Sequence, residues 1–210
     1  MTAPALSTKL ASVNRILAAV GQQPVASISG SLPVDVTAAV NALDEVFAQQ
    51  IVRGWHFNYE EKVTLSKDGG GKIAWPANCL RVVIEKWRYA NLDVTGRDDG
   101  GTYRLYDKVA HSFVFTTDLI CDVVYSFDFE STPEAFRQYC TVRAARVLQD
   151  RMLVSPTVHS FTLRDEIEAL KVLNQHESLQ RSPNIFDNMA AYRVINRLYP
   201  NSGSGDLAYG

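Results

Sequence analysis

The stretch Gly69-Gly70-Gly71-Lys72 is the feature of this chain closest to a phosphate-binding motif. Glycine amides can converge on an anion because no Cβ stands in the way, and a lysine beside them would supply the charge. A Walker A loop also needs Ser or Thr after the lysine and a glycine five residues before the last one, where this chain has Ile73 and Ser66. Gly69, Gly71 and Ala74 satisfy G-x-G-x-x-A, but Trp75-Pro76 follows in place of a helix N-terminus that could receive a pyrophosphate. The run therefore reads as a mobile hairpin tip.

Other reactive side chains are scattered. His56, His111, His159 and His176 are isolated, and none stands at ligand spacing from another histidine or a cysteine, so a metal site is not expected. Cys79, Cys121 and Cys140 are odd in number and far apart, which suits reduced thiols packed as small hydrophobes. No G-x-S-x-G elbow occurs. Two carboxylates of a glycosidase could come from Glu60-Glu61 or from Asp165, Glu166 and Glu168. Neighbours on a strand point to opposite faces, however, and acids early in a helix are favoured by its dipole. The expectation is no catalytic residue and no cofactor.

Arg137, Arg143, Arg146 and Arg151 cluster in one segment, with Arg164 beyond it. Acids nearly balance bases over residues 131–182, and residues 55–130 are net acidic. Arginine at this density without a basic excess suits forked contacts to carboxylates, here expected between subunits, better than it suits gripping phosphates. The whole chain has a formal charge of −2, which provides no field for tight, sequence-independent DNA binding.

The elements that carry these groups follow from composition and period. With 210 residues, 46% of them hydrophobic, the chain can build one or two domains without disulfides or a structural metal. No apolar run is long enough to span a bilayer, and the N-terminal residues lack a secretory pattern, so synthesis and retention in the cytoplasm are expected. Leu6, Leu10, Val13, Leu17 and Val20 recur at helical spacing and stop at Gly21. Asp35 is placed to cap a second helix carrying Val36, Val40, Leu43, Phe47 and Ile51, closed by Gly54.

From Trp55 the pattern alternates, with Trp55, Phe57, Tyr59, Val63 and Leu65 on one side of a strand. Further strands are expected at 73–75 and 80–89, a hairpin pairing 103–106 with 112–116 after a polar loop at 96–101, and a last strand over 121–129. Helix returns at Ser131-Thr132-Pro133-Glu134, which offers a capping hydroxyl and a proline at the first helical position. Phe136, Cys140, Ala144, Val147 and Leu148 form its stripe, and after Pro156 a fourth helix carries Phe161, Ile167, Leu170 and Leu173.

The resulting fold class is α+β. A discontinuous helical bundle, residues 1–54 with 131–182, receives an inserted antiparallel β-sandwich or barrel, residues 55–130, and ends in an extended C-terminal tail, residues 183–210. That tail has too few apolar residues for a core of its own.

Several runs in this order resemble one family. They are Leu10-x-x-Val13-Asn14-x-Ile16-Leu17, Gly21-x-x-Pro24-Val25, and Arg53-Gly54-Trp55-x-Phe57-Asn58-x-Glu60-Glu61. Tyr106-Asp107-Lys108 and Pro133-Glu134-x-Phe136-Arg137, with Ala144 and Arg146 beyond, follow them. Together they resemble tail tubular protein A, the head-to-tail adaptor of short-tailed bacteriophages, over about residues 6–156.

The resemblance implies a virion protein with a helical and a β domain, assembled as a ring, usually of twelve copies. The ring would sit beneath the portal protein and above the nozzle protein, tail tubular protein B, with tail fibres as a further candidate partner. Double-stranded DNA would pass through its channel without specific binding. On this reading Ile185, Phe186, Tyr192, Ile195, Leu198 and Tyr199 of the tail are the candidate portal contacts. A tail-associated glycan hydrolase acting on host surface polysaccharide is the alternative.

Overall fold

A computed structural model describes residues 7–85, 87–153 and 156–180. Four helices, α1 (Lys9–Ala19), α2 (Val34–Ile51), α3 (Glu134–Leu153) and α4 (Pro156–Gln180), bracket five strands. The strands are β1 (Tyr59–Leu65), β2 (Cys79–Ile84), β3 (Val94–Asp99), β4 (Thr102–Asp107) and β5 (Leu119–Tyr125).

Local chemistry sets the helix ends. The Thr8 hydroxyl accepts from the Ala11 amide at 3.1 Å and starts α1. Gly21 stops it with φ +76°, so that Gln22 N–H reaches Leu17 O and Gly21 N–H reaches Ala18 O, the paired bonds of a Schellman cap. Helix α2 begins ahead of Asp35: Pro33 holds the capping position and Asp35 lies in the first turn, where its charge faces the helix dipole. Helix α3 starts at Glu134, leaving Pro133 just outside it, and the Thr132 hydroxyl donates back to Phe129 O at 2.8 Å.

Helix α3 packs against α1, α2 and α4. Their shared core joins Val13, Ile16 and Leu17 to Leu43, Val46, Phe136, Tyr139, Cys140, Leu148 and Leu173. On α4 only part of the expected stripe is buried: Leu173 is inside, whereas Ile167 is 45% exposed because it lies on a flank turned away from α3. The side chain of Phe161 lies outside the described residues.

Strand does not begin at Trp55. A 3₁₀ turn, His56–Asn58, intervenes, and Trp55 and Phe57 pack into the helical core against Phe136. Strands β1, β5 and β2 form one antiparallel sheet in that order, and β3 pairs with β4 in a second. The expected loop at 96–101 is mostly strand β3, closed onto β4 by Gly100 and Gly101, both at positive φ as a two-residue hairpin turn requires. Residues 73–75 and 112–114 make only isolated bridges, so β4 pairs with β3 and not with a strand at 112–116.

The two sheets share a second core of Leu65, Ile73, Val82, Leu105, Phe115, Leu119 and Cys121. Among the described residues the strands do not close into a barrel.

Candidate functional site

The glycine-rich loop is folded around its own carboxylate. Asp68 Oδ1 accepts from the amides of Gly70 and Lys72, each at 2.9 Å, and Arg104 reaches Asp68 Oδ2 at 3.0 Å. The Lys72 amide, then the Gly70 amide and Arg104, outweigh desolvation and hold the Asp68 carboxyl below its ordinary range. Lys72 turns its ammonium to Asp99 at 2.5 Å. Amides needed for a phosphate cradle are thus committed to an internal anion.

The three thiols are poor nucleophiles. Burial pushes Cys140 up to about 12 and Cys121 to about 11, and it raises Cys79 as well. Among the described residues no three His, Cys, Asp or Glu side chains gather as a metal set would. Glu60 and Glu61 are exposed on β1, where a bulge between Glu60 and Val63 places Lys62 at φ +58°. Asp122 secures that bulge by accepting from the Lys62 amide at 3.0 Å and from the Tyr59 hydroxyl at 2.7 Å. Partial burial, followed by the Asp122 carboxylate, pushes the Tyr59 phenol up to about 12.

The arginines form the most extensive polar arrangement. Glu166 of α4, itself nearly buried, is gripped through one oxygen by Arg143 at 2.8 Å and through the other by Arg146. Arg146 continues to Asp150 at 2.9 Å. Arg137 is buried and bonds Glu134 at 3.0 Å and the Glu130 carbonyl at 2.6 Å. Arg151 reaches across to Glu45 of α2 at 2.9 Å, with just over half of its side chain exposed.

All four arginines proposed from the sequence for subunit contacts thus have carboxylate partners within the chain. Their partners Glu45, Asp150 and Glu166 went unrecognised as such, although Glu166 carries a readable sign: an acid at a position of α4 in phase with Leu170 and Leu173. Glu166 is so engaged, whereas Asp165 and Glu168 stay exposed on one flank of α4, mid-helix and not in the first turn where the dipole would favour them. Ile185, Phe186, Tyr192, Ile195, Leu198 and Tyr199 lie outside the described residues.

Two open clefts meet at Gly54. One, of about 420 Å³, runs between the end of α2 and the end of α4 along Arg53, Trp55, Asn174 and Glu177. The other, of about 660 Å³, is bordered by His56, Tyr59, Glu61 and Arg81. A groove between α1, α3 and α4, about 490 Å³ in volume, has Ala135 and Ala145 of α3 at its floor and Ala19 and Ala169 on its walls.

The described residues form a helical bundle braced by ion pairs, with open polar clefts on its surface. The chain belongs to the tail tubular protein family, whose model matches residues 10–183, and is accordingly a structural component of a bacteriophage tail that assembles with other virion proteins. No curated protein matches it significantly.

Proposed function

We propose that the protein is the head-to-tail adaptor: a ring, of twelve copies, that joins the portal protein to the nozzle protein and forms part of the DNA ejection channel. The observation that carries this reading is the family match over residues 10–183, together with the specific pairing of Arg53-Gly54-Trp55-x-Phe57-Asn58 with Pro133-Glu134-x-Phe136-Arg137. Charge supports it, since a net −2 chain lets DNA slide where a basic lining would hold it. The chain would be made in the host cytoplasm and incorporated into the virion. In the ring, Arg151 has the most open guanidinium of the four candidate subunit contacts. The tail residues Ile185, Phe186, Tyr192, Ile195, Leu198 and Tyr199 dock in grooves of the portal, with the ring multiplying a modest grip per subunit.

Electron microscopy of the purified protein mixed with portal and nozzle proteins tests the reading. A ring of this protein between the two is the expected result. Binding to neither partner overturns it. Deleting residues 183–210 should leave the fold intact and abolish attachment to portal, and normal attachment by the truncated protein would remove the tail from the scheme.

A further inference from the structure

Helix α4 packs chiefly on α3, and it turns Glu166, Leu170, Leu173 and Glu177 toward the rest of the chain. At 100° per residue the remaining positions fall on two flanks, which meet on the outer face where Arg164 and Glu168 lie one turn apart. One carries Leu163, Arg164, Ile167 and Lys171, with Leu163 39% and Ile167 45% exposed. The other carries Asp165, Glu168, Ala169 and Val172, and forms one wall of the groove between α1, α3 and α4. Val172 is 58% exposed there.

The flanks are therefore both apolar at the centre and opposite in charge at the edge. Arg164, Asp165, Glu168 and Lys171 are all exposed, and none of them has an ion-pair partner among the described residues. That contrasts with Glu166 on the same helix, which is held by two guanidiniums. Arg15, on the opposite wall of the groove, hydrogen-bonds Gln138 and neither acid of α4.

We propose that α4 is the seam between neighbouring copies of this chain. The Leu163, Arg164, Ile167, Lys171 flank of one copy lies along the groove of the next, apolar side chains over its alanine floor and cations against Asp165 and Glu168. Small residues in the floor let a second helix approach closely. Two different, mutually complementary patches on one subunit make a heterologous contact, which continues past a dimer and forms a ring where its rotation closes. This seam rests on the ring reading above and specifies where the ring is joined.

Charge reversal on each flank provides the test, because all four residues are exposed and their replacement leaves the core untouched. One variant carries Asp165→Lys with Glu168→Lys, the other Arg164→Glu with Lys171→Glu, and circular dichroism verifies that both remain folded. Mass photometry and light scattering then follow multimers over a concentration series, alone and with portal protein. Each variant should assemble at least tenfold more weakly than the wild type, since its two flanks now carry like charge. Mixing the two variants should restore multimers in which they alternate, because one then carries two positive flanks and the other two negative ones, and every seam again joins opposite charges.

Wild-type rings with unaffected variants, or weakened variants that mixing does not restore, would place the seam elsewhere and leave the ring reading standing. Absence of wild-type multimers at every concentration, with portal as well as without it, would overturn the ring and the seam together.

Discussion

Asn58 and Trp55 lock each other at the junction of helix and strand. Asn58 Oδ1 accepts from the Trp55 amide at 2.8 Å, while Asn58 Nδ2 donates to the carbonyls of Ile51 and Tyr125, each at 2.8 Å. One buried amide thereby fastens the end of α2, the 3₁₀ turn and the end of β5. Replacing Asn58 by Ala leaves two carbonyls and an N–H without their partner, at a cost of about 3 kcal/mol. Asn58→Asp should be worse than Asn58→Ala, since its carboxylate would face both carbonyls. Chemical denaturation that ranks Ala below Asp would contradict this arrangement.

Trp55 itself is 8% exposed, and its ring meets Phe136 edge-on at 5.7 Å while Nε1 donates to Gln50 O at 2.8 Å. Trp55→Ala should cost about 3–5 kcal/mol through the cavity and the lost burial. Trp55→Phe retains much of the packing and loses the Gln50 bond, so its cost should be nearer 1–2 kcal/mol. Equal melting temperatures for the two variants would show that packing against Phe136 contributes little.

Glu166 faces two guanidiniums, with side-chain exposures of 9% for Glu166, 30% for Arg143 and 17% for Arg146. Glu166→Gln keeps the shape but offers the two guanidiniums a single neutral acceptor, so that Arg143 loses its carboxylate and Arg146 keeps only Asp150. A loss of about 2–3 kcal/mol is expected, less than for a fully buried pair because water still reaches Arg143. The double variant Glu166→Leu with Arg143→Met should recover part of that loss, as apolar replacements of buried ion pairs do. A double variant no more stable than Glu166→Gln would argue that the network is needed for its geometry beyond its charge.

Much of the helical part was readable from sequence because its signals are local. Gly21 stops α1 through a cap that needs only the neighbouring turn, and the stripe of α2 repeats long enough to be unambiguous. The β part was harder. Trp55, Phe57 and Tyr59 alternate like a strand, yet a 3₁₀ turn gave the first two to the helical core, and only the distant Phe136 decides that. Gly96 looks like a loop residue, but it lies in β3 beneath the ring of Tyr103, where an added Cβ would come within 2.4 Å of the ring. The aromatic covers the glycine across the strand pair, a relationship visible only once β3 and β4 are in register. At the candidate site, the four arginines stood out by number, whereas Glu45 and Glu166 became their partners only through helix packing.

Glu134 connects the start of α1 to the start of α3. Its Oε1 accepts from the Ser7 hydroxyl and from Gln138 Nε2, both at 2.6 Å, and its Oε2 accepts from Arg137 Nη2 at 3.0 Å. Burial alone would raise this carboxyl. The Ser7 and Gln138 hydrogen bonds and the Arg137 charge outweigh it and hold the group below its ordinary value of 4.5. Between the depressed folded value and 4.5 the unfolded chain binds more protons than the folded one, so stability rises with pH across that window. The contribution is complete above 4.5 and disappears as pH falls through the folded value. Glu134→Gln lacks the ionisation and should be about 1–2 kcal/mol less stable than the wild type at neutral pH. Melting temperatures of the two proteins, compared from pH 7 downward, should converge once Glu134 is protonated. A gap that stays constant into strong acid would mean that the residue contributes through shape and neutral hydrogen bonding, and that its charge is not what joins the two helices.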